Sequence, residues 1–206
     1  DLAIKHFQKS NSADEKLFVG FGYAYLAKNK IQLARKNFER ALGINPDNLH
    51  AQFGMATMYE QTGEKENAFL IYSKLRISNP EHAWVKVRYE FIKSTQTEFF
   101  LKEAANFKNQ QDMNAYIDAL IRASQYSPEI TDIQVEIGDH YNFQEQYKEA
   151  AVQYEKVLEK LPNDEELQLK LAAVYEKMHK FDSAVMIYQK MLETKPGDLD
   201  ITNKIN

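Results

Sequence analysis

The sequence predicts an all-α solenoid built of antiparallel helix pairs, on three observations. All five prolines (Pro46, Pro80, Pro128, Pro162 and Pro196) stand at one phase of a pattern, and three of the four gaps between them are 34 residues. A small–aromatic–small–aromatic series recurs in step with them. Within each unit the apolar residues are offset by three and four, the spacing of one helical face. Proline lacks an N–H and its ring clashes with the preceding turn, so each marks the end of a helical unit. Self-similarity at this period is the mark of a helical solenoid.

Counting back from the prolines gives repeats 15–48, 49–82, 97–130, 131–164 and 165–198. The eighth place of each is small: Gly22, Ala56, Ala104, Gly138 and Ala172. Tyr25, Tyr59, Phe107, Tyr141 and Tyr175 follow three residues later. The twentieth place holds Ala34, Ala68, Ala150 and Ala184, but Tyr116 in the third repeat. Phe38, Tyr72, Leu120, Tyr154 and Tyr188 come next, then Ala41, Leu75, Ala123, Val157 and Met191. Each repeat therefore reads as two amphipathic helices of about 14 residues, whose small residues let the axes approach to about 8–10 Å. Asn29-Lys30, Thr62-Gly63, Gln111-Asp112, Gln146 and His179-Lys180 mark the turn inside each repeat, and Asn/Pro/Asp-rich segments mark the loops between repeats.

This order resembles the tetratricopeptide repeat (TPR) family, with repeats one, two, four and five matching well and the third departing at Glu103 and Tyr116. The resemblance implies a right-handed α–α superhelix. The reading is of a single solenoid over 1–206, with a partial repeat at 1–12 and the start of a further helix at 199–206. Since no dedicated capping helix is evident and the chain begins at Asp1, it is expected to be a piece of a longer array, with any targeting segment outside it.

The one unequal gap, 48 residues, places a helical insertion at 81–96. Fourteen extra residues make almost four turns, so one long helix of about 28 residues is the preferred reading. A break near Ser94–Thr97 is the alternative, since Thr95 and Glu98 have capping-box spacing. Trp84, Phe91 and Phe99 fall off the main stripe and form a candidate docking surface, or are covered by the extension folding back.

Composition narrows the function. Net charge is −4 and pI about 5.8, which speaks against nucleic acid as partner. No apolar run of about 18 residues is present, so no direct membrane insertion is expected. The chain has no cysteine, which removes disulfides, thiolate nucleophiles and cysteine metal sites. Compartment is not decided; the cytoplasm is preferred and the bacterial periplasm is the other reading. His6, His50, His82, His140 and His179 include no pair at helical metal spacing and read as surface residues. Gly20-Phe21-Gly22 lacks the rest of a phosphate loop. The sequence shows no nucleophile–base arrangement, so neither catalytic residues nor a cofactor or metal is expected.

In the family, the first helix of each repeat lines the concave face where partner peptides lie. The resemblance thus points to Val19, Phe53, Leu101, Val135 and Leu169 at the fifth place, with Tyr23, Leu26, Thr57, Asp139, Asn142 and Phe143 nearby. These residues either face a groove or pack on adjacent helices. Residues 1–80 carry 11 Lys/Arg against 8 Asp/Glu, and 81–206 carry 15 against 22. An apolar strip with an acidic C-terminal half, including Asp132, Glu166 and Glu176, suits a peptide or amphipathic helix bearing basic residues. The family's clamp for chaperone tail carboxylates does not fit: Val19, Tyr23 and Gly54 replace its Lys and Asn residues, and Asp132 and Glu136 replace Lys and Arg. The sequence therefore predicts a non-catalytic scaffold that binds a protein or peptide. Two other readings fit the same pattern: a spacer that self-associates, or the recruitment region of a larger enzyme such as a glycosyltransferase.

Overall fold

A computed structural model describes residues 14–205; the partial repeat expected at 1–12 lies outside the described residues. Eleven α-helices and no strands occur among the described residues. The chain forms two compact units that divide between Thr95 and Gln96. The first holds α1 (Glu15–Leu26), α2 (Ile31–Ile44), α3 (Leu49–Gln61), α4 (Lys65–Ser78) and the first half of α5 (Ala83–Asn109). The second holds the rest of α5 and then α6 (Met113–Tyr126), α7 (Thr131–Phe143), α8 (Tyr147–Leu158), α9 (Glu165–Lys177), α10 (Phe181–Thr194) and α11 (Leu199–Ile205).

The periodic residues make the core. Every residue at the eighth, twentieth and twenty-fourth places is buried, and so are Ala41, Leu75, Ala123, Val157 and Met191. Phe38 shows why the small residues are needed. Its fully buried ring lies between Gly22 of α1 and Gly54 of α3, and a Cβ at either glycine would overlap the ring. Gly138 makes the same room for Tyr154 in the second unit. Aspartate or asparagine starts most first helices: Asp14, Asn48 and Asp164 each accept a hydrogen bond from a backbone N–H two or three residues on.

The turn inside each repeat also recurs. Asn29, Gly63, Gln111, Glu145 and His179 occupy one place and all have positive φ, between 56° and 81°. This left-handed conformation closes the first helix and turns the chain into the second. Only the second repeat uses glycine there, so the other four hold a side chain in a conformation that costs about 1 kcal/mol.

Residues 81–96 make no separate helix, because α5 runs unbroken for 27 residues. Thr95 donates to the Phe91 carbonyl at 2.8 Å inside the helix and caps nothing. In the first unit Val85 and Ile92 are buried against Ala56, Tyr72 and Leu75. In the second, Phe100 stacks on Tyr126 at 5.9 Å, and buried Thr97 and Ser127 share a hydrogen bond of 2.7 Å. One helix thus begins in the 34-residue frame of the first unit and continues in a frame shifted by 14, a rotation of about 40°.

Candidate functional site

The outward side of the first helices differs between the units. In the first, Phe53 of α3 meets Tyr72 edge-on at 5.3 Å and Trp84 of α5 at 5.8 Å. His50 and His82 stand 5.4 and 4.8 Å from the same indole, which stays half exposed. Trp84, Val87 and Phe91 follow at three- and four-residue spacing on α5, and each is at least half exposed. Val87 and Phe91 lie 34 residues beyond Phe53 and Thr57, so they are the equivalents of those two candidate residues. Sequence reasoning named Phe91 as part of a docking surface but missed Val87, because it restarted the count at 97; continuing the 34-residue count would have placed both in this row.

The other expected residues of this unit are more committed to packing. Leu26 is buried against Phe38 and the Met55–Met58 cluster, and it offers nothing to a ligand. Tyr23 packs edge-on against Phe38 at 5.2 Å and donates to the His50 carbonyl at 2.9 Å. Burial pushes its phenol up to about 12. Thr57 donates to the Phe53 carbonyl at 2.9 Å and lies 3.2 Å from the Tyr72 hydroxyl. Val19 is half-buried on α1.

In the second unit Val135 and Asp139 are brought together in a cleft of about 320 Å³ between α7 and α9. Asp132, Glu136, Asp164 and Glu166 line it as well, with Leu167 as floor and Lys170 as the one cation. Asp139 is held at both oxygens, by the Tyr154 hydroxyl at 2.6 Å and by Lys170 at 2.9 Å. Lys170 reaches Glu166 at 3.3 Å too. Burial opposes the charge on Lys170, but the bonds to Asp139 and Glu166 outweigh it and raise its pKa. Burial, then the bond to Asp139, raises the Tyr154 phenol, so it stays a proton donor. Lys108 is raised by its bonds to Glu136 at 3.0 Å and Tyr116 at 3.3 Å.

Leu101 is half-buried and Leu169 43% exposed, while Asn142 is exposed and Phe143 83% exposed. Phe99, half exposed and edge-on to Phe100, is in this unit, whereas Trp84 and Phe91 are in the first. Its turn on the helix, about 80° from Phe91, also sets it off their stripe. Among the described residues no group of three or more His, Asp or Glu could hold a metal, and no helix is long and apolar enough to cross a membrane. The cleft therefore offers fixed carboxylates, one neutralising lysine and aliphatic walls.

Stacked helix pairs in 34-residue register, with buried small and aromatic places and variable outward ones, define a helical-repeat scaffold for protein interaction. Residues 19–83 and 144–203 each match a sequence model of the tetratricopeptide repeat, together more than half the chain. The chain belongs to the tetratricopeptide repeat family. Uncharacterized protein ycf37 of Pyropia yezoensis is 26% identical over 100 residues, covering 46% of this chain, which spans 56% of that relative's length. Among solved structures, MamA has a TM-score of 0.42 at 18% identity, covering 90% of this chain and 94% of that one. TTC0263 of Thermus thermophilus, a thermophilic TPR protein, has 0.39 at 21%, covering 93% and 96%. YrrB, described as a TPR protein with an unusual peptide-binding site, has 0.42 at 15%, covering 98% and 97%.

Proposed function

We propose that the chain is a non-catalytic scaffold whose second unit holds an extended segment of a partner protein along its first helices. The observation that carries this reading is the row Leu101, Val135 and Leu169. These aliphatic residues stay at least partly open to solvent, although the opposite sides of the same helices are buried. The cleft beside Val135 adds polar groups already fixed in place by Tyr154 and Lys170. Burial of a few aliphatic anchors with pre-oriented polar partners is how a groove takes an extended peptide.

The test is an array of nine-residue peptides probed with the whole chain, then with Leu169→Glu. The reading expects peptides that bind the native chain and lose about tenfold or more in the variant, with helicity by circular dichroism unchanged. Peptides that bind both proteins alike would place the contact elsewhere and reject it.

A further inference from the structure

The second place of the first helices in the second unit reads Glu98, Asp132, Glu166 and Asp200, at 34-residue intervals, and all four are exposed. This acidic row runs beside the aliphatic row Leu101, Val135 and Leu169. Glu98, Asp132 and Asp200 have no ion-pair partner among the described residues, and Glu166 shares Lys170 with Asp139. A helix dipole accounts for an acid in the first turn, as at Asp132, Glu166 and Asp200. It does not account for Glu98, which lies in the interior of the 27-residue α5. The row thus continues where the helix-stabilising explanation ends.

From this we infer that the segment held by the second unit is basic, an extended stretch with Lys or Arg spaced between aliphatic side chains. The inference rests on the peptide-holding reading above and names its partner class. One acidic rung per repeat asks for cations spaced along the segment rather than clustered. Residues 96–206 carry 12 Lys/Arg against 20 Asp/Glu, so the wider field of the unit favours the same sign.

The probe is a fluorescein-labelled (Lys-Leu-Ala)3 peptide, titrated with the whole chain by anisotropy. Two controls accompany it: a peptide of the same composition with its lysines adjacent, and (Glu-Leu-Ala)3. The spaced basic peptide should bind about tenfold tighter than the adjacent one and weaken about tenfold from ~50 to ~500 mM salt. Asp132→Lys with Glu166→Lys should abolish binding with helicity by circular dichroism retained, and Glu98→Lys should weaken it about threefold or more with melting temperature unchanged. Equal binding of the acidic peptide, or indifference to these reversals, overturns the inference. If only neutral, Leu169-dependent peptides bind, the charge inference falls and the holding reading stands. If Leu169→Glu also changes nothing, both fall.

Discussion

The two units carry the same spine and different flanks. At the fifth place of the first helices stand Val19, Phe53 and Val87 in one unit and Leu101, Val135 and Leu169 in the other. At the second place the first unit has Lys16, His50 and Trp84, where the second has only carboxylates. At the ninth, the first unit has Tyr23, Thr57 and Phe91, and the second has Ala105, Asp139 and Ala173. Residues 1–95 carry 14 Lys/Arg against 10 Asp/Glu, the reverse of the second unit's balance. The buried places set the scaffold, and the exposed places are free to differ. One helical frame therefore presents an aromatic surface in one unit and an acidic one in the other.

The largest break in this comparison should come from the shared spine. Phe38 fills space that two glycines leave open, whereas Tyr154 has one, Gly138. Phe38→Ala should cost about 3–5 kcal/mol. Gly22→Ala or Gly54→Ala should cost about 1–3 kcal/mol by forcing the ring aside. Urea denaturation measures all three. A Gly54→Ala chain as stable as the native one would mean that the close approach is not what selects glycine.

This spine was the part most legible in the sequence, because helix periodicity and residue size are local properties. Leu26 shows the limit. Its spacing placed it near the groove face, but only the packing of Phe38 and Met58 decides that it points inward. Val87, and the place of Phe91 in the same row, were hidden for a different reason, since an unbroken helix can change frame without a proline or glycine to mark the change. The acidic character of the second unit was legible as composition. That Asp139 is pinned by Tyr154 and Lys170, from two other helices, was not, because those contacts join residues 15 and 31 positions away.

A pH titration sharpens the contrast. Burial alone pushes Tyr23 up to about 12. In the second unit burial, then the neighbouring carboxylate, pushes Tyr175 and Tyr188 to about 12, through Glu155 and Glu176 respectively. Each pKa is higher folded than unfolded, so the stabilisation is whole below about pH 10 and is lost as pH rises toward about 12. Salt should pull the second-unit tyrosines back toward their ordinary value and leave Tyr23 unmoved, because only the former feel a charge. Tyrosinate absorbance in single Tyr→Phe variants reads this out. An equal salt response at Tyr23 would contradict the assigned cause.

Turn strain gives a smaller effect that should be common to both units. Gly63→Ala places a Cβ at φ 81° and should cost about 1 kcal/mol. Glu145→Gly relieves a side chain held at φ 59° and should gain about 0.5 kcal/mol, less than the strain because glycine gives the unfolded chain more freedom. Melting curves of the two variants should move in opposite directions. Movement in the same direction would show that side-chain contacts at this turn, not φ, decide its residue.

The smallest effect tests whether neighbouring first helices are matched by charge. Glu60 of α3 pairs with Arg88 of α5, and Lys108 of α5 pairs with Glu136 of α7. Both pairs join the twelfth place of one first helix to the sixth of the next, 28 residues on, with the signs exchanged. Glu60 is 15% exposed, whereas Lys108 and Glu136 are 57% and 44% exposed. A reversal at Glu60 should therefore cost about 1 kcal/mol and one at Glu136 about 0.3 kcal/mol. The double reversal Glu60→Lys with Arg88→Glu gives the first unit the second unit's arrangement and should recover about half the loss or more. Because a double-mutant cycle isolates the coupling, failure to recover would show that these charges do not match helix to helix. Recovery would mean that neighbouring first helices within a unit are matched by the sign of the pair.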